Sequence, residues 1–216
     1  MPATDVVVTG GTGYIGRPLV AELIARKHRV RVIARLASTR RVPAGATAVV
    51  GDALDQASIA SALRPGDTLV HLVGTPHPGP AKAKEFANVD LVSVRAAAAG
   101  ARRAEVAHFV YVSVAQPAPV MRAYVAVRAE GEKTIAAAGL TATFVRPWYV
   151  LGPGHWWPIV LLPGYALAEA IPAWRESARR LGLVSLAQMV DALVRAVEAP
   201  PPTGTQRVVE VPEIRR

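Results

Sequence analysis

Tyr124 and Arg128, in the stretch "YVAVRAEGE", stand four residues apart in a helical pattern and so share one face of that helix. A phenol aimed at a carbonyl oxygen can deliver the proton that neutralises the charge developing there as the carbon is reduced. The ordinary pKa of a tyrosine, near 10, makes that exchange slow at neutral pH, and a cation one helical turn away favours the ionised form. Ser113 stands upstream, at the end of the apolar run "AHFVYVSV". Arg128 keeps a fixed positive charge but stays protonated and has a different donor geometry from a lysine, so it is a poor member of a proton relay. The competing reading is that Tyr124 and Arg128 only stack along a helix face.

A second group of residues bears on what such an acid would work with. "VVVTGGTGYIGRPLV" places Gly10, Gly13 and Gly16 at three-residue spacing, after an apolar strand and at the opening of a helix. In that context glycines allow the tight turn, the approach of backbone to a pyrophosphate and close helix–strand packing, and the helix N-terminus faces the phosphates. The second strand then ends in "VRVIARLASTRR", with Arg35 where an acidic residue would bind the ribose 2′-hydroxyl of NAD and with Arg31, Arg40 and Arg41 nearby. A guanidinium there pairs with a 2′-phosphate, so NADP is expected over NAD. In "GDALD" Asp52 stands where a side chain reaches an adenine, with Ala53 and Leu54 alongside, and Asp55 is a candidate helix cap.

These residues need a scaffold. The chain has 216 residues, about half of them hydrophobic, enough for one core. It alternates short β-branched runs with longer helical patterns, the signature of a parallel sheet covered on both faces. Strands are expected at 5–10, 29–34, 46–51, 67–73, 107–114, 141–146 and 207–211. Helices fall between them, among them a long Ala-rich one over 81–104 and one over 120–139 that carries Tyr124. The expectation is one domain over 1–216, a doubly wound Rossmann fold with strand order 3-2-1-4-5-6-7. Residues 147–182, rich in Pro and Gly and holding all four tryptophans, would form a small C-terminal cap.

Composition narrows the partners. The formal charge is +9, but the basic residues are scattered and their longest uninterrupted runs are pairs, so no nucleic-acid footprint is expected. No apolar stretch reaches the roughly 20 residues of a membrane span, and prolines interrupt the most apolar one. Without cysteine there is no disulfide or thiolate metal site, and no spacing of His, Asp and Glu suggests a metal. A cytoplasmic setting fits, with a homodimer as a compatible assembly. His71 and His108, in strand patterns, read as packed. His77 and His155, in loops at the expected mouth of the sheet, are candidates for a substrate contact, while Trp148, Trp156 and Trp157 suit either an apolar pocket or a core.

The glycine loop, the "GDALD" turn, "YVSV", the Tyr-x-x-x-basic helix and "VRPWYVLGPG", in this order, resemble the short-chain dehydrogenase/reductase superfamily over essentially the whole chain. The likeness is to its extended and atypical branch, the epimerase/dehydratase-like and NmrA-like NAD(P)H-binding proteins. The resemblance implies Ser113, Tyr124 and Arg128 as the catalytic set, with Arg128 standing where that superfamily has lysine and also contacting the nicotinamide ribose. It implies a cofactor set of Gly10, Gly13, Tyr14, Ile15, Gly16, Arg35, Asp52, Ala53, Leu54, Val73, Gly74, Arg128 and Pro147. Asn88 matches loosely a helix asparagine that holds a relay water. The implied activity is an NADP-dependent oxidoreductase acting on an apolar or aromatic carbonyl compound or alcohol. The alternatives are a redox-silent NADP(H) sensor and, third, a sugar-nucleotide epimerase or dehydratase.

Overall fold

The computed structural model describes residues 3–156, 159–160, 175–176 and 179–216. Three consecutive valines show why a parallel sheet forms. In β1 (Asp5–Thr9) Val6 and Val8 enter one hydrophobic cluster and Val7 the other, all fully buried. Successive side chains of a strand point to opposite faces, so an unbroken apolar run requires cover on both.

The remaining main strands are β2 (Arg29–Ala34), β3 (Thr47–Val50), β4 (Thr68–His71), β5 (His108–Val112), β6 (Ala142–Arg146) and β9 (Gln206–Glu210). All pair in parallel, in the order β3-β2-β1-β4-β5-β6-β9. Val8 lies between Val32 of β2 and Val70 of β4, so the order reverses beside β1, the place where doubly wound sheets hold ligands. The order over the seven expected strands is as read from sequence. Two three-residue strands intervene, β7 (Tyr149–Leu151) and β8 (Leu183–Ser185), and form a separate parallel pair.

One face is covered by α1 (Gly16–Ala25) and α6 (Leu186–Glu198), which supply Leu19, Val20, Leu23, Met189, Leu193 and Val194 to the first cluster. The other carries α2 (Gln56–Ala62), α4 (Val92–Arg103) and α5 (Arg122–Ala137). Asp55 caps α2 by accepting from the amides of Ala57 and Ser58. Ser185 and Gln188 form a reciprocal capping box on α6. A four-residue helix, α7 (Val211–Ile214), closes the chain.

The expected helix over 81–104 is not uniform. A 3₁₀ turn (Pro80–Lys82) and α3 (Ala83–Glu85) lead into a π-helical turn, Phe86–Leu91, before α4. The wider turn brings Phe86 and Asp90, both about 1% exposed, to the side facing α5. Half of the cap expected over 147–182 falls outside the described residues, as do Trp157 and Trp174. No helix among the described residues is long and apolar enough to cross a membrane.

Candidate functional site

The glycine loop is built by sterics. Gly10 has φ +76°, a conformation that side chains resist, and its carbonyl accepts from the Gly13 amide at 3.0 Å. A Cβ on Gly16 would overlap that carbonyl, and one on Gly11 would meet Val32 at 2.7 Å. Gly11 was outside the expected set. Its role is to let the loop lie on β2. Helix α1 starts behind the loop with Ile15 as N-cap, no side-chain cap and no acidic residue in its first turn. Within that turn the Arg17 amide donates to the Gly13 carbonyl at 3.1 Å and Pro18 has no N–H, so the Ile15 and Gly16 amides are the ones left for an anionic group from outside.

At the carboxyl end of β2 Arg35 is exposed and precedes a 3₁₀ turn, Leu36–Arg41. Arg40 is exposed beside it, and Arg41 donates to Ser38 at 2.8 Å. Arg31 is not part of this group: it donates to both oxygens of Asp67 at 2.6 Å and to the Ala62 carbonyl at 2.7 Å. Asp52 accepts from the Leu54 amide at 2.9 Å while its own amide donates to Ser58 at 2.8 Å, which fixes the Asp52–Ala53–Leu54 turn at the carboxyl end of β3.

The reacting end gathers around Arg128, which is 5% exposed. One arm of its guanidinium donates to the Val112 carbonyl at 2.9 Å and the Val73 carbonyl at 3.4 Å, and the other to Asp90 at 2.7 Å. A Cβ on Gly74 would overlap that second arm, so Val73 and Gly74 shape the seat of Arg128. Asp90 accepts on its other oxygen from the Thr75 amide at 2.9 Å and hydroxyl at 2.6 Å. Asn88 is exposed; from the same turn Asp90 reaches Arg128 and Phe86 reaches Tyr124.

Tyr124 lies between these elements. Its ring centroid is 5.0 Å from that of Phe86, and the Arg128 guanidinium carbon is 5.2 Å from it, at cation–π range. Burial works to discharge Arg128, but Tyr124, Tyr111 and Asp90 around it outweigh that and hold its pKa further above the ordinary value. Ser113 is buried at the end of β5, its amide bonded to the Val145 carbonyl and its hydroxyl without a partner among the described residues. Pro147 is buried after β6, and its carbonyl accepts from Ala115 at 2.9 Å.

The histidines divide as expected between core and mouth. His71 bonds Thr9 at 2.8 Å and Ser93 at 3.2 Å, and burial, with Arg128 adding to it, pushes it down to about 3. His108 bonds Thr143 at 3.0 Å and is pushed down to about 4 by burial and Arg207. At the mouth Tyr14, His155 and His77 form a ring stack from three separate loops, with centroids 4.1 Å and 5.1 Å apart. Trp148 packs on the first cluster and edge-on to Tyr149, whereas Trp156 is exposed. A groove of about 500 Å³ runs along the flank of α5 that carries Arg122, Val125 and Ala126, which the helical repeat turns away from Tyr124 and Arg128.

A dinucleotide fits these residues on three observations: the bare first turn of α1, the loop that Gly10 and Gly16 keep open to it, and the orphaned Ser113 hydroxyl where a reacting oxygen would sit. Comparison with known proteins agrees. The family described as NAD(P)H-binding matches residues 10–153. The 3-diazoavenalumate denitrifying reductase of a Streptomyces species is 31% identical over 90% of this chain and 72% of its own. The ceramide reductase of Caulobacter vibrioides is 28% identical over 99% of this chain and 67% of its own. Among solved structures, MoeE5 in complex with UDP-glucose and NAD superposes with a TM-score of 0.70 at 21% identity, over 97% of this chain and 79% of that one. The chain belongs to the NAD(P)H-binding family.

Proposed function

We propose that the chain is an NADP(H)-dependent reductase of an apolar or aromatic carbonyl compound. The observation that carries this reading is Ser113: a buried hydroxyl with no partner among the described residues, at the end of the strand that precedes the Tyr124 helix. Burying a hydroxyl unpaired costs about 1–3 kcal/mol, which a substrate oxygen accepting from it would offset. Tyr124 then donates the proton to that oxygen. The bound nicotinamide supplies the hydride. Gly10, Gly13 and Gly16, with the amides behind Tyr14 and Ile15, hold the pyrophosphate; Arg35 holds the 2′-phosphate; Asp52, Ala53 and Leu54 flank the adenine; Pro147 and the Val73–Gly74 segment bound the nicotinamide end.

Two relatives named as reductases support the direction of the chemistry. Arg128 contributes a fixed charge to Tyr124; its two terminal nitrogens are engaged within the protein, while its Nε has no partner among the described residues and is the donor left for the nicotinamide ribose. That engagement is also what favours the second reading, an NADP(H)-binding sensor without turnover.

A screen of carbonyl compounds with NADPH separates the two. The reductase reading expects turnover that Tyr124→Phe lowers by about 10²–10⁴-fold while nucleotide affinity holds. Turnover undiminished in Tyr124→Phe would sink it. A protein that binds NADPH tightly and reduces nothing across the screen favours the sensor.

A further inference from the structure

We infer that Asp90 is a positioning residue for Tyr124: by fixing and partly cancelling the Arg128 charge beneath the phenol, it sets the pH at which Tyr124 gives up its proton. The inference rests on the catalytic reading of Tyr124 and adds a residue to it.

The geometry makes Asp90 two-sided. One oxygen meets Arg128 at 2.7 Å and the other takes both donors of Thr75, so one carboxylate joins the guanidinium to the loop after β4. Both members of the ion pair are nearly inaccessible, with side chains 6% and 0% exposed, so water screens little of their field. The groups around the Tyr124–Arg128 pair are few. Helix α5 supplies Arg128 itself, the π turn supplies Phe86 and Asp90, β5 supplies Tyr111 and β4 supplies His71. Burial pushes the Tyr111 phenol up and His71 down to about 3, so both are neutral at pH 7. The charge that the Tyr124 ring meets is therefore that of Arg128 with Asp90 behind it. A lysine with an uncharged partner would present a full positive charge in this place; here a carboxylate opposes it.

The test uses the nucleotide-free chain, so it stands apart from any search for a substrate. Spectrophotometric titration of the native chain minus Tyr124→Phe isolates the Tyr124 phenol from the other tyrosines. Asp90→Asn keeps the shape and removes the negative charge, while the Val112 and Val73 carbonyls still hold the guanidinium. Its midpoint should fall by about one pH unit or more, because the cation is then unopposed. The double variant Asp90→Asn/Arg128→Met leaves no buried unpaired ion and guards against a single variant that does not fold. Its midpoint should return to the native value or above it. An Asp90→Asn midpoint that stays put or rises, or a double variant that titrates below the native chain, overturns the proposal. With a substrate in hand, Asp90→Asn should move the pH profile of kcat the same way with KM little changed; a lower kcat on an unmoved profile marks Asp90 as merely structural and overturns it. A shifted midpoint in a protein that reduces nothing supports the proposal while removing the reductase reading.

Discussion

Gly74 is the hollow into which Arg128 reaches: a Cβ there would overlap one arm of the guanidinium and lie 3.2 Å from Oδ1 of Asp90. A long side chain usually swings away from such an intrusion at little cost. This one is held by a carboxylate and two carbonyls, and it cannot move without breaking them.

Gly74→Ala should therefore destabilise the chain by about 1–3 kcal/mol, the usual cost of overpacking, and disturb the buried pair as well. Arg128→Lys removes the arm that the methyl would strike. The double variant Gly74→Ala/Arg128→Lys should lose less than the sum of the two single changes. Urea unfolding of the four chains measures this, and strict additivity would mean that Gly74 and Arg128 do not share space in solution.

The glycine loop gives a sharper case, because the obstacle is backbone. Gly16→Ala would press its methyl onto the Gly10 carbonyl, which also receives the Gly13 amide. The turn must open, and the amides at the start of α1 lose their aim. Calorimetry with NADPH should show affinity falling by at least about tenfold, the loss of roughly 1.4 kcal/mol. A fold that survives by circular dichroism, with native affinity, would exclude the loop as the pyrophosphate seat.

How much of this was legible in the sequence depends on whether a feature leaves a periodic trace. Val6, Val7 and Val8 announce a strand buried on both faces, and Asp55 announces a helix start, because each acts on residues next to it. Three-residue strands such as Tyr149–Leu151 are too short to show alternation, and the partner Leu183–Ser185 is far along the chain. The π turn leaves no mark in composition. Arg31 was grouped with Arg35 by nearness in sequence, yet within β2 it shares a face with Ile33 of the second cluster, where Asp67 at the amino end of β4 takes it up. Asp90 needed the fold, since only the packing of the π turn on α5 brings it to Arg128.

Buried histidines should make stability depend on mild acid. His71 and His108 have folded-state pKa values of about 3 and about 4, below the 6.5 of the unfolded chain. The unfolded state thus binds protons that the folded state refuses. Their contribution is complete above pH 6.5 and is lost as the pH falls from there toward the folded values. With both titrating, the slope approaches about 2.7 kcal/mol per pH unit. Denaturant unfolding between pH 7.5 and pH 5 should show the loss, and replacing either histidine by glutamine should flatten it. An equally steep slope in both variants would place its origin elsewhere.

The proposed preference for NADPH is tested at Arg35. It is exposed at the carboxyl end of β2, with Arg40 exposed nearby, while Arg31 is spent on Asp67 and Arg41 leans on Ser38. A 2′-phosphate brought against β2 would therefore meet the forked donors of Arg35 first, and a charge-assisted pair of that kind is worth about 1.5–3 kcal/mol. NADPH should bind about 10–100-fold more tightly than NADH. Arg35→Ala should narrow that ratio by weakening NADPH alone, because the 2′-hydroxyl of NADH never drew on the charge. Arg35→Asp should invert it, since a carboxylate repels the phosphate and accepts from the hydroxyl. Arg40→Ala serves as the control for general positive potential: its effect on NADPH should be smaller and should fade with added salt. Equal affinities of the native chain for both nucleotides, or an Arg35→Ala chain with its NADPH preference intact, would remove Arg35 from the nucleotide site.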